Sequence, residues 1–230
     1  MTIHADDDGR ARPPARRHLS DTAAAHVRGL IMSGQLRPGA GVRPEAIGED
    51  LGISATPARE ALQALRVEGF LSVLPRQGFV VADLTGQDIR DLFCAQGLIA
   101  GELAARAATN ATPAHLQELQ ALHHELIAAA ARHHASALEE KNHLFHRHIN
   151  LMAGAPKMAW VLLLLTRYVP HHFYADITGW PQATVDDHEA ILDAIVDQDD
   201  HRARQAMQQH IAHAGELLAD HFDRLVTHNS

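Results

Sequence analysis

The sequence predicts a mainly α protein in two parts, a winged helix-turn-helix followed by an all-α bundle. Three observations carry that reading. Two short amphipathic patterns meet at the Gly-containing turn "LGIS", residues 51–54. Two β-prone runs, "FLSVL" and "FVVA", flank "PRQG" as a hairpin would. From Thr85 onward apolar residues recur at helical spacing, with no alternating strand pattern. A chain of 230 residues exceeds the commonest single-domain length. We therefore divide it into an Arg/Pro-rich, disordered arm (1–18), a winged helix-turn-helix (19–83) and an all-α domain (84–230).

Ser20 is the expected N-cap of a first helix, in which Ala23, Ala24, Val27, Leu30 and Ile31 face inward until Gly34. "LRPGAGVRP" is turn chemistry. Pro44 and Glu45 open a second helix with Ile47 and Leu51 inside and Gly52 as its stop. Ser54 caps a third, running to about Glu68, with Ala58, Ala61, Leu62 and Leu65 inward and Gly69 closing it. In a winged helix this third helix enters the major groove with its N-terminal residues nearest the bases. Thr56, Arg59, Gln63 and Arg66 share its solvent side. Arg59 is the favoured contact, because its planar donor fork suits both guanine edges and phosphate oxygens.

In the second part, "TGQD" reads as a capping box with Asp88 in the glutamate position, starting a helix that runs to about Thr109. A further helix starts at Pro113, and others span about 136–152, 156–168, 184–197 and 199 to near the C-terminus. No internal repeat is present.

The net charge is −8, unevenly spread: residues 1–83 hold ten arginines against ten acids, and the acidic excess lies wholly beyond them. An acidic chain binds nucleic acid poorly without a local patch, so any DNA contact must come from the neutral part, helped by "RARPPARR" in the arm. Cys94 is the only cysteine, which excludes an internal disulfide framework and fits a reducing, cytoplasmic setting. The charged start does not read as a secretory signal. The longest apolar run, residues 159–165, is far short of the roughly 18 residues that span a membrane.

The histidines pose a separate question. "NHLFHRHIN", residues 142–150, places three of them in one helix. At about 100° per residue, Phe145, Ile149 and Met152 form an apolar stripe with Asn142 and His146 along one edge. His143 points away, and His148 lies on the opposite edge. The same wheel aligns His188 with Ile191, Leu192 and Ile195, and His210 with Met207, Ala214 and Leu217. Three helices thus each project one histidine inward. Such residues either pack as satisfied core histidines or assemble a metal site, as facing helices of a bundle commonly do. The doublets His123/His124, His133/His134 and His171/His172 read mostly as solvated, since adjacent helical residues do not share a face.

"GISATPAREALQALRVEGFLSVLPRQGFVV" resembles the DNA-binding domain of GntR-type bacterial transcription regulators. Ser54, Thr56, Pro57, Arg59, Glu60, Ala61, Leu62, Leu65, Glu68, Gly69 and Gly78 match that family's pattern. Ala55 departs from it, standing where the family usually has a DNA-touching arginine. The resemblance implies DNA contacts from Ser54, Thr56, Arg59, Gln63, Arg76, Gln77 and Gly78.

Residues from about Thr85 to Leu225 are similar to the FCD effector domain of the family's FadR-type branch. That likeness implies an antiparallel bundle and a divalent metal (Zn, Ni, Mn or Fe, with Zn or Ni favoured) held by Asn142, His146, His188 and His210. Asn142 replaces the family's usual aspartate. Gln96 and Ala100 stand where an arginine and a glutamate are frequent, so Gln96 is the residue expected nearest a bound carboxylate effector. The implied protein is a homodimeric, metabolite-responsive regulator, a repressor in the commoner family behaviour, on a palindromic double-stranded operator. The alternatives are a metal sensor with no organic effector, and a His-ligated metalloenzyme, which three histidines and an open position would also suit.

Overall fold

A computed structural model of the chain describes residues 16–169, 174 and 177–227. The arm up to residue 15 and the pair His171/His172 lie outside those residues. Helix α1 spans Arg16–Met32, so it begins a full turn before Ser20. Ser20 is an interior residue and not the cap, and the last part of the expected arm is helical. Strand β1 (Gly41–Val42) follows, then α2 (Pro44–Leu51), α3 (Ala55–Val67), β2 (Leu71–Leu74) and β3 (Gly78–Val81). β1 was not expected. Its two residues read as a turn, and they become a strand only by pairing with β3, Gly41 to Val80 and Val42 to Phe79. The sheet is therefore three-stranded in the order β1-β3-β2.

Local signals account for the α2–α3 unit. Gly52 adopts φ +64°, which a left-handed C-cap needs, and Gly69 takes φ +88° where α3 gives way to β2. Ile47, Ala58, Ala61, Leu62 and Leu65 turn inward against Ala23, Ala24, Val27 and Ile31 of α1. Ser54 sits at the N-cap with extended backbone, but its exposed hydroxyl makes no capping hydrogen bond. Buried Arg28 of α1 donates through Nε and Nη2 to the two carboxylate oxygens of Glu68, both at 2.9 Å. This bidentate pair fastens the end of α3 to α1.

The remaining elements are all helices: α4 (Gly86–Asn110), α5 (Pro113–Ala131), α6 (Ala135–Met152), α7 (Pro156–Thr166), α8 (Trp180–Val196) and α9 (Asp200–Thr227). The capping box is formed, with Thr85 Oγ1 accepting from Asp88 N and Asp88 Oδ2 accepting from Thr85 N. α8 begins one turn earlier than expected, at a Trp-Pro start. None of the helices among the described residues is long and apolar enough to cross a membrane.

α4 lies along α9, and this seam is built on glycines. A Cβ added to Gly215 would sit 2.6 Å from Phe93 Cβ, and one on Gly101 would sit 3.0 Å from the Arg204 carbonyl. Arg90 closes the far end of the seam by reaching Glu216 and Asp220, both at 2.7 Å. We expect Gly215→Ala to destabilise the protein by about 1–3 kcal/mol, because Phe93 Cβ can move only with its helix. The urea midpoint checks this, and an unchanged midpoint would mean that the seam tolerates a wider spacing.

One apolar cluster joins the two parts. It runs from Val27, Leu62 and Phe70 of the first part to Phe93, Trp180, Leu218 and Phe222 of the bundle. At the junction the rings of Phe70 and Tyr168 lie 4.0 Å apart, centroid to centroid.

Candidate metal centre

The side chain of His146 comes from α6, that of His188 from α8 and that of His210 from α9. Each enters the bundle for the reason its helical phase gives, since Phe145, Ile149, Ile191, Ile195 and Met207 beside them are buried. One ring nitrogen from each of the three lies within 4.8 Å of the others. His146 Nε2 and His210 Nε2 are 3.1 Å apart. Two bare lone pairs cannot face each other at that distance without repulsion, so either one nitrogen carries a proton or both bind one cation.

The surrounding atoms favour the cation. Among the described residues, both ring nitrogens of His188 are buried without a hydrogen-bond partner, and so is Asn142 Oδ1. Buried polar atoms left unmatched are costly, and each one asks for an explanation. His210 Nδ1 lies 3.3 Å from Asp187 Oδ2, which also lies 3.2 Å from His213 Nδ1. A proton on His210 Nδ1, donated to Asp187, turns a bare Nε2 toward His146. Burial pushes the imidazoles of His146 and His188 well below their ordinary value, and repulsion from His210 adds to it. Neutral imidazole is the form that ligates a metal. Burial alone would raise the Asp187 carboxyl, but His210 and His213 outweigh it and hold the group below the usual carboxylate range. Three imidazoles and an amide oxygen are donors suited to a divalent transition ion.

Asp187 flanks His188 in the sequence, but its pairing with His210 was not legible there. It sits on a different face of α8 from His188, yet it reaches His210 because α8 packs on α9. His123, read as half of a solvated doublet, is buried. Its ring lies 6.4 Å from that of His188 and 6.1 Å from that of Phe145. The sequence did hold a signal for it, since Leu119, Leu122, His123 and Leu126 follow helical spacing and are buried together. His124, His133 and His134 are exposed. His148 lies outside the cluster, with Nε2 bonded to the His115 carbonyl at 3.1 Å. His143 is exposed and outside it too, although it borders the cavity described next.

A cavity of about 520 Å³ opens beside the cluster. Asn142, His146 and His210 line it, as does Gln96, which is only 3% exposed. Gln96 therefore shares one chamber with three of the four residues expected at the metal.

Far from this chamber, Ser54, Thr56, Arg59 and Gln63 are exposed along the first turns of α3. Arg76, Gln77 and Gly78 are exposed at the hairpin tip, where Arg76 takes φ +69° and Gly78 φ +79°. Arg59 makes a 3.4 Å contact to Glu45, with both side chains about 60% exposed. Ion pairs of that kind are weak enough to be exchanged for another partner.

Residues 91–213, more than half of the chain, match the FCD domain, and residues 19–81 match the bacterial regulatory proteins of the gntR family. The chain belongs to the GntR family and carries an FCD domain. This GntR-family chain is 34% identical over 102 residues to an uncharacterized HTH-type transcriptional regulator of Mycobacterium tuberculosis, a match spanning 44% of this chain and 42% of that protein. It is 29% identical over 187 residues to the HTH-type transcriptional regulator McbR of Escherichia coli, covering 78% and 85% of the two chains. The solved structure of E. coli McbR/YncC superposes with a TM-score of 0.62 at 24% identity, over 92% of this chain and 99% of that one, and shows a shared fold. The GntR-family chain thus joins the domain of a family of bacterial regulatory proteins to an FCD domain with a histidine cluster that could hold a metal ion.

Proposed function

We propose that the protein is a homodimeric, FadR-type repressor. In this reading Asn142, His146, His188 and His210 hold a divalent ion, zinc or nickel before manganese or iron. A small carboxylate effector binds there and releases a palindromic operator. The observation that carries the reading is the convergence of unpartnered donor atoms on one end of a cavity. A bound ion supplies a positive anchor for an anionic group. Three neutral imidazoles and a neutral amide leave most of its charge uncompensated, since Asp187, the carboxylate that reaches His210, is shared with His213. An anionic ligand is the natural complement, and that excess charge takes over the role of the arginine missing at Gln96.

Residues 19–83 form the DNA-reading domain in this proposal, and residues 84–230 the ligand-binding and dimerisation domain. Ser54, Thr56, Arg59 and Gln63 face the bases, while Arg76, Gln77 and Gly78 follow the backbone at the wing. Two copies related by a twofold axis would read two half-sites. Coupling between the sites is by differential affinity. Cavity-lining Phe93 and Trp180 belong to the same apolar cluster as Phe70, which follows α3 directly, so a ligand that repositions them alters the seat of the reading helix.

The test joins metal analysis with operator binding. Protein purified without chelator should contain about one equivalent of metal per chain. Its affinity for an operator selected from random duplexes should fall when a carboxylate is added, and only while the metal is present. Release by metal alone, with no response to any acid, would leave a metal sensor instead. Arg59→Ala should weaken operator binding roughly 5- to 100-fold, the range of one good base or phosphate contact, with metal content unchanged. Unaltered affinity would remove Arg59 from the interface.

A further inference from the structure

The cavity is far larger and far more apolar than a small polar acid requires. Gln96, Asn142, His146 and His210 line it beside the histidine cluster, and His143, Asn150 and Thr166 add further polar groups. Much of the remaining wall is apolar, and Phe93, Leu162, Tyr174, Trp180, Met207 and Ile211 are its large side chains deepest in the fold. Three of these form an aromatic corner, with Tyr174 and Trp180 5.5 Å apart at 31° and Phe93 edge-on to Tyr174 at 6.5 Å. Among the described lining residues the one permanently charged side chain is Arg147, which is exposed at the opening, and no acidic side chain lines the chamber. Away from Arg147, a second carboxylate inside the chamber would therefore be desolvated without a side-chain cation to meet it. An apolar body, by contrast, would cover wall that a short acid leaves facing water.

We infer that the effector is a monocarboxylate with an extended or ring-bearing apolar body, selected over short dicarboxylates and hydroxy acids. This rests on the carboxylate reading above and adds to it the part of the molecule that the histidines do not see. In that arrangement the acid group lies at the polar end near Gln96. The body runs along Leu162 and Met207 toward the aromatic corner, and Arg147, Trp160 and Leu163 border the entrance. Gln96 sets the preference. An amide there bonds one carboxylate without supplying a second positive charge, whereas an arginine at that position would welcome a diacid.

Calorimetric titration of the metal-loaded full chain with acetate, hexanoate, 3-phenylpropanoate, succinate and malate tests the inference. Hexanoate should bind more tightly than acetate by roughly tenfold to a few hundredfold, since each buried methylene contributes about fourfold. The phenyl acid should match hexanoate, and both diacids should be weaker than either. Leu163→Asn changes a residue that is 41% exposed, so the fold should tolerate it, and it should weaken hexanoate several-fold without affecting acetate. Gln96→Arg should tighten succinate relative to hexanoate. Equal binding of acetate and hexanoate, or succinate tighter than hexanoate, overturns the inference while leaving the metal and carboxylate reading intact. Chain-length selectivity that survives removal of the metal supports the inference and overturns the metal anchor beneath it. No binding by any acid to the metal-loaded protein overturns both.

Discussion

His188→Ala should empty the metal centre, taking the metal content from about one equivalent per chain to a small fraction of that. His188 is fully buried, both of its ring nitrogens lack partners among the described residues, and its ring is stacked on Phe145 at 4.1 Å, which fixes it toward the cluster. Loss of a direct ligand should exceed the roughly 10- to 100-fold drop in affinity that outer-shell changes produce. Asp187→Asn should fall inside that smaller range, because it weakens the hold on the His210 tautomer without removing a donor. His143→Ala should retain the metal, since His143 lies outside the cluster. Plasma mass spectrometry on the three purified variants gives the ranking. Metal retained in His188→Ala but lost in His143→Ala would mean that the donors come from another face of α6.

The second large effect is on stability. With metal removed, the folded protein should weaken steeply as pH falls below about 6.5. Histidines of the unfolded chain titrate near 6.5. Those of His146 and His188 in the folded chain are pushed well below it, and burial lowers His123 as well. In the interval between the two values the unfolded state binds more protons, so acid favours unfolding. Above 6.5 neither state is protonated at these rings and the contribution is flat. Each histidine contributes up to about 1.4 kcal/mol per pH unit, so His146 and His188 together give a slope of about 2–3 kcal/mol per unit. Urea unfolding of chelator-treated protein at three pH values spanning 7.5 to 5.5 measures it, and His188→Leu should roughly halve the slope. A profile without slope over that interval would show that the rings find proton acceptors or water when metal is absent.

Much of the architecture was legible because its signals are local. Pro44, Gly52, Gly69 and the Thr85/Asp88 box each act within a few residues of where they stand, and the elements they bound are found where they point. β1 was not legible, because Gly41 and Val42 become a strand only through β3, almost forty residues away. Ser20 misled for a related reason: the residues before it continue the helix, so its hydroxyl has no free end to cap. At the candidate site, periodicity gave the inward face of each helix and hence His146, His188 and His210. It could not say which helices touch. The role of Asp187 depends on α8 packing on α9, and the place of His123 beside the cluster on α5 packing against α6 and α8.

The apolar cluster that runs through the Phe70–Tyr168 contact bears on how the molecule melts. Two domains joined by a bare tether would give two heat-absorption peaks, each with its own midpoint. A hydrophobic interior shared between the DNA-reading helices and the chamber wall should instead merge them into one endotherm. A bound effector would then raise the melting temperature of the half it never touches. Conversely, a substitution that loosens the hairpin would register as a weaker grip on the ligand.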